Sequence, residues 1–410
     1  MEVVMSEFIN NNDKHAGNSN KKESEKRVEQ LFQFSQGIIK GEDGNKLMAK
    51  YGDALKHITP YDMIAMEEKQ LKSGISPQQI KEKIEKVMNV IYEHLKKYEW
   101  EKPADGHALY YLMQENRELE KVLNTIKQSL QDKDYVKVTN QVEELFIMEH
   151  HYMRKENILF PFLEKTWENC RPLAVMWSIH DDIRIKLKSL KKILTENEDF
   201  NAAIFKLFGE VFFLMYGMIF KEELVIYPVA IETLSSIDWR KIHEQSFEIG
   251  FSYIEAPKRI SKQKKKPDMM KSVSDIFWKV ETGELAKDQL ELLLNNLPLD
   301  ITFVDENDEV RYFSKPKDRF FPRSPAIIGR KVQNCHPPES VHIVKKIIEE
   351  FKAGTKKEAE FWIQMKGKFI LIKYFAMHDD SGNYRGILEV SQDITEIKNI
   401  EGEKRLLNWE

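Results

Sequence analysis

The sequence predicts a multidomain chain: an all-α N-terminal part containing an up-down four-helix bundle, followed by an α+β domain with an antiparallel sheet. Three observations carry that expectation. Between residues 107 and 234, apolar residues recur at helical spacing in segments joined by short polar breaks. His107, His151, His180 and Glu222 stand about one helix apart, the layout that aims side chains into the middle of a bundle. Past residue 300 the pattern changes to short alternating runs separated by turn residues.

Composition narrows the function classes. The 410 residues suffice for two or three domains, each with its own core. Lys and Arg number 63 against 67 Asp and Glu, a formal net charge of -4, without the basic excess of a nucleic-acid binder. The 2 cysteines, Cys170 and Cys335, are far apart and form neither a disulfide framework nor a CxxC knuckle, which fits a reducing cytoplasm. The first 26 residues lack the apolar core of a signal peptide. The greasiest stretch, 205–220, is interrupted by Lys206 and Glu210 and followed by Lys221-Glu222-Glu223, so it reads as a buried amphipathic helix rather than a membrane span.

The elements follow in order. Residues 1–25 are polar and read as a disordered tail. Residues 26–98 read as a small helical domain or an extension of the next one. Within it Thr59-Pro60 and Ser76-Pro77-Gln78-Gln79 are helix starts, with apolar Ile80, Ile84, Val87 and Ile91 after the second. The turn-rich joint 100–106 precedes the bundle, 105–234, whose helices are expected at about 107–130, 134–164, 172–197 and 201–233. Pro161 and Pro228 each follow an aromatic inside a helical pattern, so each should kink or end its helix; LFPFLEK and IYPVAIE look like one device used twice. Residues 235–288 read as a linker, with a basic segment at 256–267 and helix resuming near 270. Over 289–400, DITFVDENDEVRYFS is a hairpin turning at Asp305–Asp308. A helix ending on Gly354 follows it, and then come three strands joined at Lys366-Gly367 and at Asp380–Asn383. Residues 401–410 form a short tail.

The phrases GHALYYLMQENREL, EHHYMRKENILFPFLEK, MWSIHDDIR and MIFKEELVIYP resemble the hemerythrin-like (HHE) cation-binding family. That resemblance implies a four-helix bundle with a non-haem di-iron centre, used for oxygen binding, nitric-oxide-related repair or redox sensing. It implies His107, His151, His180 and Glu222 as ligands on successive helices; Glu156, next to the bridging position, is a further metal candidate. Two positions depart from the pattern: Lys155 stands where the second-helix bridging carboxylate would be, and Met218 where a histidine would be. Glu156 lies about 140° round an ideal helix from His151, and a kink before Pro161 would be needed to bring it inward. A complete pair would draw on Glu115, His150, Asp182, Glu164 or Glu223. The competing bland readings are a capping role for His107 at its helix start and a core role for Met218.

The segments NNLPLDITFVDENDEVRYFS, GRKVQNCHPPESVHIVKKII and ILEVSQDITEIKNIEGE resemble a PAS domain. Such a domain implies a small ligand or cofactor held against the sheet, or a partner interface. Cys335, His336 and His342 are the candidate cofactor residues, with packing and capping as the alternative. The whole chain resembles proteins in which a small helical domain, an HHE domain and a PAS-like domain follow one another. The expectation is a cytoplasmic sensor or regulatory protein, with no claim to turnover, whose cofactor is non-haem iron, possibly a pair, with haem as an alternative. Its partners are expected to be a small gaseous or redox ligand, a signalling protein and a second copy, not nucleic acid or a membrane. A di-iron enzyme handling peroxide or nitric oxide, or supporting iron–sulfur repair, a haem sensor and a metal-free scaffold are the rivals.

Overall fold

A computed structural model of the chain describes residues 17–76, 79, 90–196, 200–259, 277–317 and 319–403. The expected tail before residue 17, most of the helix after Ser76-Pro77, the basic stretch from 260 and the residues beyond 403 lie outside the described residues. The chain divides into two compact units, essentially 1–260 and 261–410.

The first unit is helical. It opens with α1 (Gly17–Lys40), α2 (Gly44–Lys56) and α3 (Pro60–Lys72), so helix begins inside the stretch read as a tail. Thr59 caps α3 in a capping box with Asp62, and Pro60 occupies the first turn, where its missing N–H is no loss. The same local logic recurs at Ser76, whose hydroxyl accepts from the Gln79 amide (3.2 Å) while the Gln79 side chain accepts from the Ser76 amide (2.9 Å).

The bundle follows. Its first helix is α4 (Ala108–Gln131). The second runs through α5 (Tyr135–Leu145), a 3-10 turn (Phe146–Met148), α6 (Glu149–Arg154), a π turn (Lys155–Leu159) and α7 (Phe160–Thr166). The third is α8 (Pro172–Glu196). The fourth runs through α9 (Ala202–Lys221), a second π turn (Glu222–Ile226) and α10 (Tyr227–Thr233). Asp134 and Asn201 cap α5 and α9 with their side chains. α11 (Ser236–Ile249), capped by Ser235, closes the unit.

Pro161 and Pro228 therefore neither end their helices nor simply kink them. In the turn before each, the backbone widens: the Phe160 amide bonds the Lys155 carbonyl and the Tyr227 amide bonds the Glu222 carbonyl, a five-residue step. A π turn inserts an extra residue into the helical register, which absorbs the donor that proline lacks and turns the adjoining side chains to a new face. The repeated phrase is thus a repeated π turn, one on each of two bundle helices.

Helices α1–α3 share a single hydrophobic core with the bundle: Leu31, Phe34, Leu55 and Met63 belong to the same cluster as Leu109, Leu119, Tyr152, Ile183, Phe208 and Met215. The apolar helix over Ala202–Thr233 is long and apolar enough to cross a membrane by length and composition. Here it supplies Ile204, Phe208, Val211, Met215 and Met218 to that core.

In the second unit, β1 (Phe277–Val280) and β2 (Gly283–Ala286) form an antiparallel hairpin, and α12 starts only at Lys287. Helix was expected from about 270, but Glu281-Thr282 is a tight turn and Gly283, at φ 155°, takes backbone that only glycine adopts readily. The main sheet has five antiparallel strands in the order β4-β3-β7-β6-β5, built from β3 (Asp300–Asp305), β4 (Val310–Phe313), β5 (Glu358–Met365), β6 (Lys368–His378) and β7 (Tyr384–Asp393). α13 (Val341–Lys352) packs Ile348 and Phe351 into a core with Val304, Val310 and Ile387. Lys366 and Gly367, at φ 51° and 77°, make the two-residue turn between β5 and β6. Gly386 is fixed by space, since a Cβ there would lie 2.0 Å from the Val304 carbonyl oxygen.

Replacing Thr59 by Ala removes the α3 cap and one donor to the buried Asp62 carboxylate, which also pairs with Arg27 (2.7 Å). The expected cost is about 1–2 kcal/mol, read as a lower urea midpoint with an unchanged slope; an unchanged midpoint would show that the cap contributes nothing.

Candidate functional site

The four bundle helices carry a largely buried charge network. From α4 come Glu115 and Asn116. From α6 and its π turn come His151, Arg154, Lys155 and Glu156. From α8 come His180 and Arg184, and from the fourth helix Glu222 and Tyr227. All are buried except Arg184, which is partly exposed.

Glu222 is the centre. Its Oε1 accepts from the Lys155 ammonium. Its Oε2 accepts from Asn116 Nδ2 (2.9 Å), from the Tyr227 hydroxyl (2.7 Å) and faces His151 Nε2 (3.0 Å). Burial alone would push this carboxyl up, but Lys155 and His151 outweigh it and hold Glu222 well below the usual carboxylate range. The opposite ring nitrogen of His151, Nδ1, lies 2.7 Å from Glu115 Oε2. A carboxylate oxygen thus faces each ring nitrogen of His151. Glu115 Oε2 also accepts from the Arg154 guanidinium.

The second half of the network is organised by Glu156. The π turn carries it inward to 3 % exposure, where its Oε1 lies 2.7 Å from His180 Nδ1 and its two oxygens accept from Arg184 Nη1 and Nη2 at 3.0 Å each. The His180 ring is stacked on Tyr152 (centroids 4.4 Å apart) and lies parallel to Phe160 (6.3 Å). Burial and the nearby Lys155 charge push His180 well below its ordinary value, toward the neutral form. Lys155 itself sits 4.9 Å over the Tyr152 ring and is pushed down by burial. Its attraction to Glu222 opposes that shift.

A short segment stoppers this network. The Ser252 amide donates to Glu115 Oε1 (2.6 Å), and its hydroxyl accepts from the His151 amide (3.1 Å) and donates to the Ile147 carbonyl (2.7 Å). Beside it, Phe251 lies under the Arg154 guanidinium (4.5 Å), and Tyr253, in left-handed backbone at φ 61°, donates to the Glu144 carbonyl (2.8 Å).

The consecutive Lys221, Glu222 and Glu223 point three ways. Lys221 pairs with Glu67 of α3 at 2.7 and 2.9 Å, a buried link from the bundle to the N-terminal helices. Glu223 lines a groove of about 520 Å³ with Tyr98, Trp100, Lys96 and Lys102, and burial and the Glu222 charge raise it to about 7.

The expected ligands are thus distributed unequally. His151, Glu156, His180 and Glu222 fall within one network. His107 is half-buried away from these bonds: its Nδ1 accepts from the Leu109 amide (3.2 Å) as the α4 cap, and its ring packs on Trp239 (4.8 Å). Met218 is core, His150 is exposed, and Glu164 and Asp182 are partly exposed. Glu115 enters the network as a partner of His151 and Arg154, and Asn116, Arg184, Tyr227 and Ser252 were not singled out by sequence. Among the described residues no group of three or more His, Cys, Asp and Glu is placed to hold a metal ion.

The donor set does not fit a pair of metal ions. Each buried carboxylate already has its own protein cation: Glu115 has Arg154, Glu222 has Lys155 and Glu156 has Arg184. Two divalent ions would add positive charge to a site that is already balanced. Both His151 nitrogens are engaged. One atom points the other way: His180 Nε2 is buried without a protein partner, with Nδ1 held by a carboxylate as in many metal-ligating histidines.

In the C-terminal unit, Cys335 is half-buried with its thiol toward the Lys331 carbonyl, and His336 Nδ1 lies 2.8 Å from the Val332 carbonyl. Burial pushes His336 down. His342 is exposed on α13. The buried carboxylates here pair with arginines, Glu389 with Arg323 (3.1 Å) and Asp300 with Arg319 (2.8 Å).

Comparison with known proteins agrees with both patterns. Residues 107–230 match the hemerythrin HHE cation binding domain family and residues 290–395 a PAS domain family. Similar solved structures include a C-terminal domain from Streptococcus mutans, 35% identical, covering 30% of this chain and 97% of that one with a TM-score of 0.29. The PAS domain of a protein from Colwellia psychrerythraea is 18% identical, with coverages of 27% and 97% and a TM-score of 0.22. That of BvgS from Bordetella pertussis is 18% identical, with coverages of 28% and 91% and a TM-score of 0.23. No curated protein matches the chain.

Two outcomes follow from the charges. Lys155→Met strands the Glu222 carboxylate in the bundle and is expected to cost about 3–5 kcal/mol, measured by urea unfolding; a loss below about 1 kcal/mol would mean that the pair is not buried as described. Glu223, raised from 4.5 to about 7, binds more protons folded than unfolded between those values, so it erodes stability as pH rises through that window. Glu223→Gln should therefore gain on the wild type from pH 4.5 to 7 and keep a constant lead above it; a pH-independent difference would rule this out.

Proposed function

We propose that this chain, built from a hemerythrin-like bundle and a PAS domain, is a sensory or regulatory protein in which the buried charge network of the bundle is the responsive element. The observation that carries the reading is the stopper. Ser252 bonds both Glu115 and the His151 backbone, and the chain leaves the bundle just after it on the way to the C-terminal domain. A change in the charge or ligation of the network alters the hold on that segment. The PAS domain then binds a ligand of its own or passes the change to a partner. Oxygen, nitric oxide and redox state are the signals that the bundle family suggests, acting in the cytoplasm, and no turnover is assigned.

A second reading, non-haem iron held in the bundle, has one specific observation in its favour, the unpartnered Nε2 of His180. Such an ion would supply a redox-active, gas-binding centre. His180 would ligate it while Glu156 and Arg184 fix the ring.

Amide exchange in the full chain, before and after oxygen, a nitric-oxide donor and peroxide, tests the responsive-element reading. Faster exchange over 250–254 in the wild type, absent from Glu115→Gln, is the expected result. Unchanged exchange there under all three agents would leave the bundle a static scaffold.

A further inference from the structure

The HHE family is named for binding a cation, and this bundle holds its central acid with a cation of its own. Lys155 has no exposed surface, its ammonium lies on Glu222 Oε1, and it influences Glu156 and His180 as well as Glu222. It also sits 4.9 Å over the Tyr152 ring, on which His180 stacks at 4.4 Å, and Glu156 follows it in the chain, so one stretch of the bundle gathers a carboxylate from the fourth helix, a carboxylate from the second and the imidazole of the third. These are the hard and borderline donors that a divalent ion would gather. The two arginines do not occupy this place: Arg154 serves Glu115, beside the Ser252 stopper, and Arg184 serves Glu156 from the rim, where it also reaches Glu149 and Asp181.

We propose that the Lys155 ammonium is a built-in substitute for the metal charge, so that the wild-type bundle is closed to metal ions by this one side chain. Removing the ammonium frees a Glu222 oxygen in a bundle that also holds the unpartnered Nε2 of His180. A carboxylate at that position supplies a further ligand. The retained shape of the bundle then follows from protein-borne charge, and the second reading above, iron in the wild-type bundle, is its direct competitor.

The test uses the full chain, stripped with chelator, loaded without air with ferrous, manganous or zinc ion, and freed of excess by gel filtration. Metal per chain and the shift in melting temperature on loading are the readouts. Wild type is expected to keep no metal above a His180→Ala control, whereas Lys155→Glu keeps about one ion and melts higher when loaded. If Lys155→Glu does not fold, Lys155→Gln serves: it should melt below wild type and recover part of the loss with metal. Metal retained by the wild type through His180 would overturn the proposal, as would a folded Lys155→Glu that takes up no more than the wild type. The exchange response at 250–254 is read separately, so a failed signal and a failed metal substitution remain distinguishable.

Discussion

A carboxylate with no access to water must be neutralised or matched from within, because the cost of stripping its hydration is several kcal/mol even after relaxation. Glu222 is matched. One oxygen takes the Lys155 ammonium and the other faces an amide, a phenol and an imidazole, so both oxygens have polar partners. Those donors come from α4, from the second helix and from the fourth helix itself. Satisfying this single group therefore fixes the angular setting of three bundle helices, and the Glu156–His180–Arg184 set brings in the remaining one. The widened turns belong to the same constraint. A regular helix puts Lys155 on the face of His151 at i+4 but not Glu156, and Glu156 lies within the π turn over Lys155–Leu159.

The network also connects layers of the first unit. Lys221, one residue before Glu222, is paired with Glu67 of α3, so the N-terminal helices are anchored beside the central acid. At a second point Ser252 presents an amide to Glu115. A perturbation of Glu222 thus has short, bonded routes in two directions, through Lys221 into the N-terminal helices and through His151 and Glu115 to Ser252.

Much of the fold was legible in the sequence because it is written locally. Helical periodicity, the Thr59-Pro60 and Ser76–Gln79 starts, the Asp134 and Asn201 caps and the Lys366-Gly367 turn each depend on a few neighbouring residues. The departures at Lys155 and Met218 were also visible. What they do was not, since the partner of Lys155 lies 67 residues away and that of Arg154 39 residues away. Regular helical geometry puts Glu156 about 140° round from His151, and the π turn in which it is buried was not visible in the sequence. His107 reads as a ligand from its spacing, yet its position after Gly106 at a helix start suits the cap that it makes. The strands at Phe277–Ala286 were missed because they are four residues long each, too short for alternation to show.

A crystal structure of the full chain, from crystals grown with ferrous or zinc ion, addresses the central claim most directly. The account predicts the Lys155 ammonium within hydrogen-bonding distance of Glu222, with Arg154 on Glu115 and Arg184 on Glu156, and no ion among them. A metal ion ligated by His180 and Glu222, with the Lys155 side chain displaced from the bundle interior, would contradict it.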